Sequence, residues 1–109
     1  MLTREQKYAE EIYRQVESVS DDKKEDYLKM SKKLPVLIRS AGLTQALHFA
    51  VTRKGSSKQL VEDLAVAVGE ADLLEQSRTA NINQYIHLTE KCLTALNWYK
   101  RIAQSLLEL

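Results

Sequence analysis

The stretch Lys32-Lys33-Leu34-Pro35-Val36-Leu37-Ile38-Arg39-Ser40-Ala41-Gly42-Leu43-Thr44-Gln45-Ala46-Leu47-His48-Phe49-Ala50 decides the fold. Pro35 lacks a backbone N–H and disfavours helical geometry at Leu34, so a helix arriving from upstream is predicted to stop or kink there, with Pro35 in the first turn of the next segment. Val36, Leu37 and Ile38 then read as a short, fully buried turn. Gly42 suits the residue just past a helix end. After it, Leu43, Ala46, Leu47, Ala50 and Val51 recur at i, i+3, i+4, i+7 and i+8, the stripe of an amphipathic helix.

The same reading extends in both directions. Upstream, Tyr8, Ala9, Ile12, Tyr13, Val16 and Val19 trace one helical face, and Thr3 with Gln6 has the spacing of a capping box. Ser20 and Asp21 offer N-caps for a second helix from about Lys23, bearing Tyr27, Leu28 and Met30. Downstream, Ser56 and Gln59 form another possible capping box ahead of Leu60, Leu64, Ala65 and Val68, and Gly69 closes that helix. Glu70 to Ala80 is weakly patterned. From Ile82 an apolar set through Tyr85, Ile86, Cys92, Leu93, Leu96, Tyr99, Ile102, Ala103, Leu106 and Leu107 predicts a helix of ~28 residues, ~42 Å long, against which the others pack. Three glycines, one proline and no Asn-Gly or Asp-Gly pair leave little room for hairpins. The expectation is an all-α fold: one domain over residues 1–109, a compact bundle of five to six helices with a long C-terminal helix.

Composition narrows function mostly by exclusion. A chain of 109 residues with 44% hydrophobic content can bury one core. The single cysteine, Cys92, excludes an internal disulfide, and no zinc-ligand spacing occurs. The charged opening MLTREQKYAEE does not resemble a signal peptide, and no apolar run reaches a membrane span, so a cytoplasmic protein without a membrane partner is expected. Walker, dinucleotide and nucleophile-elbow glycine motifs are missing. His48 and His87 lack a helical partner at i+4, so they read as ordinary helical histidines, and a metal-dependent enzyme built on them is a remote option. No enzyme, cofactor, metal or small-molecule substrate is expected.

Charge placement says more than the net charge of +1. Between Tyr27 and Val61 there is no Asp or Glu, while Lys29, Lys32, Lys33, Arg39, Arg53, Lys54 and Lys58 all fall there; Lys91 to Leu107 is a second acid-free window holding Lys91, Lys100 and Arg101. The fold should therefore have a basic and an acidic side. Phosphate backbones fit such a basic side. Solvated helix faces and head-to-tail stacking of copies fit the same charges. Trp98, flanking Lys100 and Arg101, suits covering a neighbouring helix or a partner, and suits a buried core position equally.

The segment KKLPVLIRSAGLTQALHFA, with Leu34-Pro35, Ile38-Arg39, Gly42-Leu43 and Gln45-Ala46-Leu47, resembles the signature stretch of the small α-helical subunit of type III-B CRISPR effectors, the fifth subunit of the Cmr complex. The opening REQKYAEEIYRQV and the closing ALNWYKRIAQSLLEL agree in order and length, so the resemblance spans the chain. Thr44 departs from a common glycine and Tyr99 from a common leucine. The resemblance implies a non-catalytic subunit that stacks in several copies beside the backbone subunits and along the guide and target RNA, contacting phosphates without reading sequence. The RNA-binding candidates are Lys32, Lys33, Arg39, Gln45, Arg53, Lys54, Lys100 and Arg101, with Ser40 and Lys58 secondary. The rival expectation is a helical protein–protein adaptor that never touches RNA.

Overall fold

A computed structural model describes residues 2–53 and 57–107. Six helices follow one another: α1 (Arg4–Glu17), α2 (Lys24–Ala41), α3 (Leu43–Thr52), α4 (Ser57–Val68), α5 (Leu73–Thr79) and α6 (Ile82–Leu107), and no strand occurs among the described residues. The all-α expectation and the long last helix both hold. At 26 residues α6 measures about 39 Å, which matches the longest dimension of the molecule, 41 Å. It packs most extensively on α2 and α1, with α4 behind.

The α1 capping box forms as its sequence predicts: Gln6 N–H donates to Thr3 Oγ1 at 3.1 Å, and Thr3 N–H donates to Gln6 Oε1 at 2.8 Å. The second helix begins without the expected cap. Lys23 stands at its N-cap without a side-chain cap hydrogen bond, and Ser20 donates instead to Asp22. The capping box assigned to Ser56 lies outside the described residues.

Pro35 corrects the reading of the signature stretch, because α2 runs through it to Ala41. Tyr27, Met30, Leu34 and Ile38 form an unbroken buried face in the core that α2 shares with α3, α4 and α6, each contributing roughly 1.5–3 kcal/mol of burial. Together they outweigh the ~3 kcal/mol cost of one interior proline. Val36 is accordingly 60% exposed, and only Ile38 of the expected buried turn is fully buried. Gly42 ends α2 with φ +90 and ψ 160, a backbone region open to glycine alone, and turns the chain into α3.

α5 is the element the sequence did not declare: seven residues with Leu73 and Ser77 as its buried positions. Three apolar residues placed on buried stripes also face out, Tyr13, Ile82 and Ile86 being 45%, 71% and 49% exposed. Cys92 is buried, as its stripe predicted. No helix of the described residues is long and apolar enough to cross a membrane.

Candidate nucleic-acid interface

The outer face of α2 is a basic ridge with a cleft on each side. Its buried face is set by Tyr27, Met30, Leu34 and Ile38, and the 100° step per residue turns Lys29, Lys32, Lys33, Val36, Arg39 and Ser40 away from it. On the α6 side, Lys32, Pro35 and Arg39 face Leu93, Asn97 and Lys100 across a narrow cleft of about 80 Å³. Three of the predicted cations thus share one cleft, and no carboxylate among the described residues lines it.

On the α3 side, Lys33 and Arg53 converge on Phe49. Lys33 Nζ lies 4.9 Å and Arg53 Cζ 5.0 Å from the ring centroid, within the range where a ring face attracts a cation. Lys29, Asp26 and Ser57 complete this cleft, and Lys29 is also paired with Glu25 at 3.0 Å. Asp26 therefore brings an acid into the basic region from just outside the acid-free window. Gln45 is exposed on α3 and lines, with Phe49 and His48, a wider apolar groove of about 460 Å³ between α2 and α3.

Other candidates separate from this surface. Arg101 is exposed on α6, one turn beyond Asn97, but does not line the α2 cleft. Its neighbour Trp98 turns to α1 instead, donating Nε1–H to Glu5 Oε1 at 2.8 Å, so it covers a neighbouring helix of its own chain. The Ser40 hydroxyl donates back to the Val36 carbonyl at 3.0 Å, which occupies its single donor. Lys58 is exposed on α4 and lines neither cleft, and Lys54 lies outside the described residues.

The expected acidic side is mixed: Glu10 and Glu11 of α1 share a surface hollow with Lys7 and Arg14, and Arg14 pairs with Glu11 at 2.6 Å. His87 is exposed beside Glu70, Gln76 and Gln84, while His48 is half-buried in the α2–α3 groove. Among the described residues no group of three or more His, Cys, Asp or Glu is arranged to hold a metal. Burial pushes the Cys92 thiol up to about 12, which keeps it protonated and unreactive at neutral pH.

Phe49 is the residue the sequence reading passed over. Its signal was the four-residue spacing to Arg53, which brings ring and guanidinium together at the C-terminal end of α3.

The fold and this surface define a small helical protein whose distinguishing feature is a basic ridge between two clefts. The family model described as CRISPR-associated protein (Cas_Cmr5) matches residues 4–106, and the chain belongs to that family. A Thermus thermophilus protein named CRISPR system Cmr subunit Cmr5 is 43% identical over 99% of both chains. The crystal structure of a CRISPR-associated Cmr5 family protein from the same organism superposes with a TM-score of 0.90 at 42% identity, covering 99% of this chain and 100% of that one.

Proposed function

We propose that this chain is a non-catalytic subunit of a type III-B CRISPR ribonucleoprotein, the Cmr complex, in the cytoplasm. It acts as a single domain that assembles with the other Cmr subunits and with copies of itself, and its α2 ridge lies against the backbone of guide and target RNA. Family membership supports the assembly role. The observation that carries RNA contact is the cleft lined by Lys32, Arg39 and Lys100 and by no carboxylate of the described residues. Such a cluster attracts phosphate oxygens irrespective of sequence, as suits a subunit in a machine where the guide supplies the base pairing.

The test is a salt titration of target-RNA binding by the assembled complex, with charge reversals at Lys32, Lys33, Arg39 and Lys100. Each lost phosphate contact lowers the slope of log K against log salt by roughly 0.7–0.9. Unchanged affinity and slope in all four variants, with assembly resistant to nuclease and no RNA crosslinks to this chain, would establish instead a protein–protein adaptor. Val36, Ile82 and Ile86, exposed apolar residues on α2 and α6, are the observation favouring that second reading.

A further inference from the structure

The α2–α3 groove has a chemistry that phosphate contact leaves unused. Its volume of about 460 Å³ lies within the roughly 300–1,000 Å³ of small-ligand sites, its walls are predominantly apolar, and no Asp or Glu of the described residues lines it. Phe49 forms one wall and is only half-buried. Lys33 and Arg53 stand 4.9 and 5.0 Å from its ring centroid, so an apolar recess and two cations meet at one side chain. The exposed Gln45 carboxamide sits on the same groove.

We propose that this groove receives the base of an unpaired RNA nucleotide, stacked on Phe49, with its phosphate held by Lys33 and Arg53 and its edge met by Gln45. The inference rests on the reading of the ridge as an RNA contact and adds a base-binding site to it. A nucleotide supplies a flat π-face and an anion a few ångströms apart, which matches a ring flanked by cations. An aliphatic surface pressed on Phe49 would desolvate both cations and return no counter-charge. A glutamine carboxamide can donate to and accept from a base edge at once. The ridge continues past this groove to Lys32 and Arg39, so a strand following α2 can keep its backbone on the cations while one base turns aside. Lys33 and Arg53 line the neighbouring cleft together with Asp26, whose carboxylate offsets part of their pull on the phosphate.

The experiment compares binding of the full chain to two RNA duplexes identical except for a single unpaired adenosine, measured by fluorescence anisotropy at several salt concentrations. The unpaired nucleotide should tighten binding roughly tenfold, the worth of one stacked base, and Phe49→Leu should erase that gain while leaving the salt slope unchanged. Gln45→Ala, a change at an exposed residue that cannot threaten the fold, should erase part of it. Equal affinity of the unsubstituted chain for both duplexes overturns the base site and leaves the backbone contact standing. Failure to bind either RNA overturns both. Should Phe49→Leu keep its helical circular dichroism but no longer join nuclease-treated Cmr subunits, the groove belongs to a protein partner and the base site is refuted.

Discussion

Tyr27 donates its phenolic hydrogen to Asp63 Oδ2 across 2.7 Å, joining α2 to α4 at the edge of the core. Gln15 of α1 donates to the Asp63 main-chain carbonyl at 2.9 Å and accepts from the Tyr99 hydroxyl of α6. The Tyr27 and Tyr99 rings meet tilted by 58° with centroids 6.4 Å apart, within the favourable range for aromatic pairs. Four helices are thus tied by one polar knot. Each polar group in it has a partner, so the knot fixes how the helices register where apolar packing alone would tolerate sliding.

Asp63 gives this knot a pH signature. Burial raises its pKa above the ordinary carboxylate value, against the opposing hydrogen bond from Tyr27. A folded-state pKa above the unfolded one means the native chain binds the proton more tightly. The destabilising contribution is therefore fully present above the folded pKa and is relieved as pH falls toward the unfolded value. Asp63→Asn keeps an acceptor for Tyr27 and removes this titration, so its urea midpoint should lack that part of the acid-side dependence. Tyr27→Phe, which leaves the carboxylate without its donor, should cost about 1.5–3 kcal/mol. An Asp63→Asn curve parallel to that of the unsubstituted chain from pH 3 to 7 would refute the assignment.

Glu70 and Lys91 should show the opposite sign. Their charged atoms lie 3.0 Å apart with side-chain exposures of 23% and 18%, pinning the turn after α4 to α6. The Lys91 hydrogen bond is the main cause holding the Glu70 carboxyl below its ordinary pKa. Stability from this pair is present above the unfolded value and is lost as pH falls through the folded one. Lys91→Met should lower neutral-pH stability by about 1 kcal/mol, the upper end for pairs that retain some solvent. The difference from the unsubstituted chain should shrink in acid, which denaturant melts at pH 3 and 7 would reveal.

These two carboxylates also mark where sequence reading stops. Helical periodicity exposed the stripes of α1, α3, α4 and α6, and the Thr3–Gln6 spacing located the first helix start, because both signals lie within a few residues of each other. Tyr27–Asp63 and Tyr99–Gln15 join residues 36 and 84 positions apart, so no local pattern announces them. Pro35 misled for the converse reason: its local preference is real but is overridden by the burial of Leu34 and Ile38 on either side of it. α5 was invisible because two buried residues over seven make no stripe. On the candidate surface, the charge windows singled out Lys32, Arg39 and Lys100 in sequence, but only the fold shows that α2 and α6 bring them to one cleft.

Gly42 is the junction most exposed to a single substitution. Its φ of +90 strains any L side chain, and a Cβ there would meet Tyr85 Oη at 3.1 Å. That hydroxyl also accepts from Thr44 N–H at 3.3 Å, while Thr44 Oγ1 donates to the Ser77 carbonyl at 2.8 Å. The turn is thereby moored to α5 and α6. Gly42→Ala should cost roughly 1–3 kcal/mol from the backbone conformation. Adding Tyr85→Phe removes the close contact but also the acceptor for Thr44, so the double variant should recover little or none of the loss. Full recovery in urea melts would locate the cost in the contact and overturn the backbone explanation.

Cys92 offers a direct readout of whether the core opens. Its thiol is fully buried on α6 and, with burial pushing its pKa up to about 12, carries almost no thiolate near pH 8. A thiol reagent added to the native protein should therefore react only through opening of the core, at a rate that falls with any stabilising substitution. The alkaline limb has the same origin in burial. Cys92, Tyr27 and Tyr99 all titrate above their ordinary values when folded, so the unfolded chain loses these protons first. Stability should decline as pH rises past the unfolded pKa of a cysteine, ~8.5, and further past that of tyrosine, ~10. Cys92→Ala should remove the earlier part of that decline and leave the tyrosine part. Labelling of Cys92 that is as fast in the native protein as in urea would contradict both its burial and the alkaline behaviour derived from it.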